Sequence, residues 1–395
     1  MKNDFMTQFN DTEIAFRDKS RAELRRAYWL FLLVGRPLLV RLGAALLRFS
    51  LAIGLPVKWA LKPTIFAHFC GGESIEECEW IVRKLERSNI LSILDYSAEG
   101  KETEADFEMT KVQVIRTMEK ALADRAVPYA VFKPTGLVRF AILEKFQSGA
   151  GFTDSEQQEF DHFRRRLQDI CEYARKTDVP VMVDAEESWI QDGVDRIVEE
   201  FMFTYNANKP LVFNTLQMYR HDRLDYIRDF SEKAAKKGVY VAFKLVRGAY
   251  MEKERDRAAD MGYLSPIYPD KAATDLAFDA ATRFCLENIE KVAVCVGTHN
   301  EQSCASAVAI MHEMEIRPDH PHVSFAQLLG MSDHISYKLA AERYLVCKYV
   351  PYGPVRTVVP YLVRRAEENT SVAGQTPREL AMIRAELRRR RGLRD

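Results

Sequence analysis

From about residue 90 onward, short apolar runs alternate with longer amphipathic stretches. The runs are Leu91–Asp95, Tyr129–Lys133, Val181–Asp184, Leu211–Gln217, Val239–Val246, Val292–Val296, His322–Phe325 and Leu345–Val350. They have strand length and are rich in β-branched and aromatic residues. Between them, stretches such as Glu156–Lys176, Leu224–Lys237 and Asp270–Asn288 carry apolar residues at helical spacing. Eight strand candidates in strict alternation with helices predict an α/β protein, a parallel (β/α)8 barrel of the TIM type. An open doubly wound sheet is the alternative. No Gly-x-Gly-x-x-Gly follows any strand, so a dinucleotide-binding fold of that kind has no support.

The pattern divides the chain into an N-terminal helical region, residues 1–89, and a barrel domain, residues 90–395. Ser74 stands three residues before Glu77, the spacing of a capping box, at the start of a helix running to Arg87. Tyr28 to Leu61 is strongly apolar, broken by Arg36, Arg41, Arg48 and Lys58. No uncharged run approaches the length of a membrane-spanning helix. Amphipathic helices packed on the barrel are one reading of this stretch, and a face that also touches a membrane is the other. The first residues carry Asp4, Asp11 and Glu13 without an apolar core, which fits neither a secretory signal nor a transit peptide.

Composition narrows the function classes. The 57 basic and 57 acidic residues balance, so nothing points to bulk nucleic-acid binding. The 7 cysteines are scattered, odd in number and without Cys-x-x-Cys, which fits a reducing compartment. They form no ligand cluster with His299 or His312, so no metal site is expected.

In such barrels the site lies at the carboxyl ends of the strands. Read in order, those ends carry Asp95 with Glu99, Lys133, Asp184, Gln217, Lys244 with Arg247, Thr298-His299-Asn300, Gln327-Leu328 and Tyr349. After the last strand comes a turn, Pro351-Tyr352-Gly353-Pro354, and then a helical pattern in which Tyr361, Arg364, Arg365 and Glu368 can share one face. An isolated Arg-Arg pair is ordinarily a solvated ion pair, as a lone strand-end lysine is a solvated charge. Cations converging from several strand ends on two adjacent guanidinium forks instead suit a small carboxylate substrate and an anionic or electron-rich cofactor.

Together, Asp184-Ala185-Glu186-Glu187, Lys244-Leu245-Val246-Arg247-Gly248-Ala249-Tyr250, Gly297-Thr298-His299-Asn300 and Arg364-Arg365-x-x-Glu368-Asn369 resemble proline dehydrogenases. The likeness covers nearly the whole chain, from Phe9–Arg17 to Gln327–Met331 and beyond, and is nearest the monofunctional, eukaryote-like branch. The long bifunctional relatives read Arg-Leu-Val-Lys where this chain reads Lys244-Leu245-Val246-Arg247, so the charges are exchanged. That leaves open which of the two contacts flavin N5, the family's position pointing to Lys244.

The resemblance implies a distorted barrel that holds FAD. It implies oxidation of L-proline to 1-pyrroline-5-carboxylate, the first step of proline catabolism, with electrons passed to a membrane quinone. Arg364, Arg365 and Lys133 would hold the proline carboxylate, and Glu99 would pair with the arginines. Glu368 and Leu328 would line the pocket, while Tyr349 would pack on the proline ring with Asp184 holding its hydroxyl. Asp184, Lys244 and Tyr349 would be the catalytic set. Ala185, Gln217, Lys244, Arg247, Gly248, Ala249, Tyr250, Thr298, His299 and Asn300 would hold FAD. No residue stands out as the base that removes the amine proton, and solvent can serve. The expected setting is a bacterial cytoplasm with peripheral contact to the inner membrane, or the mitochondrial inner membrane and matrix. The following oxidation is expected from a pyrroline-carboxylate dehydrogenase on a separate chain. The alternatives are a hydroxyproline dehydrogenase, which a residue smaller than Tyr349 would favour, a Schiff-base aldolase using Lys133 or Lys244, and a non-enzymatic anion-binding barrel.

Overall fold

The alternating runs fold as eight parallel strands: β1 (Ile90–Tyr96), β2 (Ala130–Phe132), β3 (Val181–Val183), β4 (Val212–Gln217), β5 (Val241–Val246), β6 (Val292–Gly297), β7 (Val323–Leu328) and β8 (Val346–Tyr352). They pair in sequence order, and β8 closes on β1 with Leu91 opposite Cys347 and Ile93 opposite Tyr349. The computed structural model describes residues 9–53, 55, 57–97, 102–371 and 375–392.

Strand periodicity of two sorts the side chains into two layers. Val241, Phe243 and Leu245 of β5 and Val292, Val294 and Val296 of β6 join the main core between strands and helices. The alternate residues fill the barrel: Ile93, Val131, Met182, Phe213, Ala242, Cys295, Ala326 and Cys347. One step of two further along six of these inward rows, a polar side chain follows the apolar filling. Ile93 is followed by Asp95, Val131 by Lys133, Met182 by Asp184, Phe213 by Thr215 and Gln217, Ala242 by Lys244, and Cys347 by Tyr349. The same parity that packs the barrel therefore aims the polar groups at its mouth.

Helices follow each strand, several with capped starts. Asp154–Thr177 begins on a capping box between Thr153 and Glu156, and Glu301–Glu313 is capped by the Asn300 side chain. At Ser74 only half of the expected box forms. Its hydroxyl accepts the Glu77 N–H at 3.3 Å, but the Glu77 carboxylate accepts from Glu73 N, and the helix starts later, at Glu79.

The departure from a regular barrel comes after β8. Through Val355, Val358, Tyr361 and Leu362, the helix Val355–Ser371 packs on Phe66, Phe69, Cys70 and Met331. Its Val359 and Val363 meet Ala44 of the helix Pro37–Ala52. The final helix, Gln375–Gly392, seats Met382 and Ile383 on Phe16, Leu24, Ala27 and Phe31. The N-terminal region thus braces the last two helices, and one of these reaches over the barrel mouth.

Pro37–Ala52 is apolar on both sides. Opposite Ala44 it exposes Leu38 (80%), Leu42 (68%), Leu46 (64%) and Phe49 (61%), with Trp59 (77%) close behind in sequence. Their spacing of four, four and three residues makes one helical stripe. Among the described residues no single helix is long and apolar enough to cross a membrane. Only the pair Arg21–Val34 and Pro37–Leu47, bent by 94°, has that length and composition together.

Candidate active site

At the carboxyl ends of the strands lies a cavity of about 610 Å³, lined by residues from β1 and β3 to β8, the end of β2 and the last two helices. Its floor is a charged knot. Asp184, just past β3, receives the Tyr349 hydroxyl at 2.6 Å, the Lys133 ammonium at 3.3 Å and the Lys244 ammonium on its other oxygen. Lys133 also reaches Asp95, which is held by the Ser97 hydroxyl. Burial would push the Asp184 carboxyl up, but the Lys244 and Lys133 charges outweigh it and hold the group down at about 2. The Lys244 ammonium lies 4.8 Å from the centre of the Tyr349 ring. A lysine must be neutral to attack a carbonyl, and both lysines here are held by carboxylates, which disfavours the imine chemistry of an aldolase.

A second set of groups lines the side of the mouth formed by β4 to β7. Arg247 is clamped by Asp275 at 2.6 Å, Ser303 at 2.8 Å and the Thr298 hydroxyl, with its guanidinium over Phe278. Gln217 bridges two loops: its oxygen accepts the Ala249 N–H at 2.9 Å and its nitrogen donates to the Glu186 carbonyl at 2.7 Å. His299 is driven down to about 3 by burial and by the charges of Lys348 and Arg365, so its ring is neutral. Its Nε2 accepts from Leu328 N at 3.5 Å, which leaves Nδ1–H to donate to Ser332 Oγ at 2.9 Å. Asn300 borders the cavity and also caps its helix, with its side-chain oxygen accepting from Gln302 N and Ser303 N.

Gly248 has φ of +137°, and a Cβ there would lie 2.4 Å from the Tyr219 ring. Only glycine fits, and the Arg247–Tyr250 turn depends on it. Gly248→Ala should therefore destabilise the protein by about 1–3 kcal/mol or more and lower any flavin the protein carries. Thermal unfolding and flavin content check both effects, and a variant normal in both would refute the close-packing account.

The third side is the helix Val355–Ser371. Tyr361, Arg364 and Arg365 line the cavity, with both guanidinium groups beside the Tyr361 ring, at 5.9 and 5.4 Å from its centre. Leu328 and Tyr349 sit opposite each other on β7 and β8. Ala185, Thr298, Gly248, Ala249 and Tyr250 also border the cavity. Two residues of the expected set are beyond view: Glu99 lies outside the described residues, as does the Glu368 side chain.

The cavity adds residues that strand-end reading misses. Thr215 is inward on β4, one step before Gln217, and the parity of that strand would have found it. Its buried hydroxyl has no protein partner among the described residues. Ser332 comes from the loop after β7 and His334 from the helix Asp333–Ala341 that follows it, Lys271 from the segment after β5, and Arg378 and Glu379 from the last helix. Ser332 adopts a left-handed conformation, and its N–H donates to Glu379 at 2.5 Å. No sequence pattern announces a contact across that distance. No cluster of three metal-ligating side chains occurs among the described residues.

A closed (β/α)8 barrel whose strand ends and covering helix line a cation-rich cavity defines an α/β-barrel enzyme. The family model described as proline dehydrogenase matches residues 79–378, and the chain belongs to this family. It is 40% identical to proline dehydrogenase 1, mitochondrial, of Homo sapiens over 65% of this chain and 44% of that one. It is 30% identical to the hydroxyproline dehydrogenase of Xenopus laevis over 95% of this chain and 88% of that one. Its fold matches the crystal structure of proline utilization A from Bdellovibrio bacteriovorus inactivated by N-propargylglycine. The TM-score is 0.72 at 20% identity, over 94% of this chain and 37% of that one. The chain thus spans less than half the length of the human relative and of this structure.

Proposed function

We propose that the chain oxidises L-proline to 1-pyrroline-5-carboxylate with FAD held at the barrel mouth, and passes the electrons to a membrane quinone. The observation that carries this reading is the Arg364–Arg365 pair set above the Asp184–Tyr349 floor in a chain of this family.

The residues fit a flavin. The cavity lies within the size range of cofactor sites and far exceeds what one proline ring fills. The Thr215 hydroxyl, at the cavity wall, awaits a partner. Gln217, Arg247, Gly248, Ala249, Tyr250, Thr298 and His299 would hold it, with Lys244, Ala185 and Asn300 at the margins. When bound, FAD would supply the hydride acceptor.

The protein's part is orientation and charge. Arg364 and Arg365 would grip the substrate carboxylate with paired hydrogen bonds, and Lys133 would add a third cation. Tyr349, fixed by Asp184, would present its ring face to the substrate ring, with Leu328 as the apolar wall. The covering helix would keep water from the reacting carbon. Hydroxyproline is the second reading. Tyr349 disfavours it, because the phenol would fill the space that a ring hydroxyl needs and its own hydroxyl is already engaged by Asp184 at 2.6 Å.

The test is the visible spectrum of the purified protein without oxygen, before and after L-proline. A flavin spectrum that bleaches supports the reading. A flavin spectrum that responds only to hydroxyproline moves the substrate, and a protein that takes up no flavin refutes the reading.

The exposed stripe on Pro37–Ala52, with Arg36, Arg41 and Lys58 beside it, supports peripheral membrane contact. Each leucine buried in a bilayer surface contributes about 1.5–3 kcal/mol. Leu42→Glu with Leu46→Glu should therefore weaken binding to anionic vesicles by about a hundredfold or more, with unfolding temperature little changed because both sites are exposed. Undiminished co-sedimentation would remove this helix from the contact.

A further inference from the structure

Three acids in the turn after β3 are held in three different ways. Asp184 sits between two ammonium groups. Glu187 is ion-paired with Lys253 at 2.8 Å. Glu186, only 3% exposed, is held by neutral donors. Its Oε1 accepts from the Thr135 hydroxyl at 2.6 Å and the Thr135 N–H at 3.4 Å, and its Oε2 accepts from the Tyr250 hydroxyl at 3.0 Å. Its backbone is fixed on both sides: Gln191 accepts its N–H and Gln217 donates to its carbonyl, each at 2.7 Å. Burying a carboxylate without a cation is unfavourable, and barrel packing gives no reason for an acid at this point.

Its position suggests one. A second cavity, of about 590 Å³, lies beside the first. Lys133, Tyr250 and Arg364 border both, whereas Glu186 and Thr135 border only the second. Tyr250 thus has one side toward the substrate region and its hydroxyl on an acid that faces away from it. The charged groups acting on this pair are Glu187 and Lys133 on Glu186, and Glu186, Glu187 and Arg364 on Tyr250, with Lys253 5.4 Å from the tyrosine ring centre.

We propose that Tyr250 and Glu186 form the proton exit of the site. This rests on the amine-oxidation reading above. The secondary amine of the substrate arrives protonated and must lose that proton before its carbon releases hydride. The amine N–H bond breaks and its proton goes to the Tyr250 oxygen, while the tyrosine's own proton moves to Glu186 Oε2. The carboxylate becomes a carboxylic acid and then discharges to water in the second cavity, and no electrons move in the step. Burial, reinforced by Glu187, raises the Glu186 carboxyl to about 7, so it accepts and releases a proton near neutrality. Burial pushes the Tyr250 hydroxyl well above its ordinary range, so it conducts the proton and carries no charge of its own.

The experiment is the pH profile of kcat/KM for proline in flavin-loaded wild type, Glu186→Gln and Tyr250→Phe, with infrared difference titration of carboxyl bands in the same proteins. In the wild type, kcat/KM should rise with pH through about 7, because the acceptor must be ionised. In either variant, the value at pH 7 should fall at least tenfold and the limb should move toward the range of a free amine, near pH 10. A carboxyl band that disappears through about pH 7 should be present in the wild type and Tyr250→Phe and absent from Glu186→Gln. An unmoved limb in Glu186→Gln overturns the relay. A limb that moves in Glu186→Gln but not in Tyr250→Phe overturns the route through tyrosine. Thr135→Val keeps the acid but removes a donor to its ionised form, and should shift the limb upward by about one unit. A fixed limb there overturns the relay even if Glu186→Gln does not fold. A carboxyl band that titrates in a protein that never oxidises proline overturns the amine-oxidation reading, and the relay with it.

Discussion

Replacing Arg365 by Met should raise the Michaelis constant for proline by about 10- to 100-fold while flavin content stays at the wild-type level. A hydrogen bond to a charged group contributes about 1.5–3 kcal/mol, and 1.4 kcal/mol is a factor of ten. Methionine keeps much of the apolar stem, and the contacts of the helix Val355–Ser371 with Phe66, Phe69 and Met331 run through Val355, Val358, Tyr361 and Leu362, so the helix retains them. Steady-state kinetics with flavin absorbance checks the result. Arg364→Met should behave in the same way, and if two forks grip one carboxylate as proposed, the double variant should be worse than either single one. A Michaelis constant that stays put in Arg365→Met would remove the clamp, and with it the main support for an amino-acid substrate.

The second large effect is at the floor. Asp184→Ala leaves Lys244 and Lys133 close together with their shared carboxylate gone, and Lys244 is almost fully buried. Removing one partner of a buried ion pair destabilises by about 3–5 kcal/mol. The unfolding temperature should fall by several degrees, and proline-dependent flavin reduction should be lost because Tyr349 loses its anchor. The pH dependence has a definite sign. The Asp184 carboxyl is lowered from 3.8 to about 2, so its stabilisation is complete above pH 3.8 and is lost as the pH falls toward 2. Between those values wild type and variant should converge in stability. A variant as stable as wild type at neutral pH would mean that the lysines relax to solvent and the knot holds nothing together.

The barrel was legible because its two layers obey a simple parity. Runs such as Val239–Val246 and Val292–Val296 are apolar on both faces, as strands covered inside and outside must be. The polar residues ending most of the inward rows marked the mouth without any knowledge of the packing. Local chemistry was less reliable at Ser74, where the expected spacing produced only half of the reciprocal bonding because Glu77 turned to Glu73. The apolar stretch Tyr28–Leu61 could not be sorted from sequence. One stripe of Pro37–Ala52 packs on Val359 and Val363 and another lies exposed, and a helix apolar all round shows no difference between them. Glu186 was hidden for another reason. In Asp184-Ala185-Glu186-Glu187 all three acids read alike, and only their neighbours in space separate a cation-held carboxylate from one surrounded by neutral donors.

The interlocking of the two ends of the chain has a consequence for biosynthesis. Phe16, Leu24, Ala27 and Phe31 are made before the barrel, yet their partners Met382 and Ile383 are made only after it. Ala44 likewise waits for Val359 and Val363. While the barrel is being made, the helices before it must keep an unsatisfied apolar surface in water, and the barrel mouth stays open until the helices Val355–Ser371 and Gln375–Gly392 arrive. A holding chaperone or an early bilayer contact would shelter that surface during the interval, and capture of a cofactor at the barrel mouth would follow the arrival of those helices.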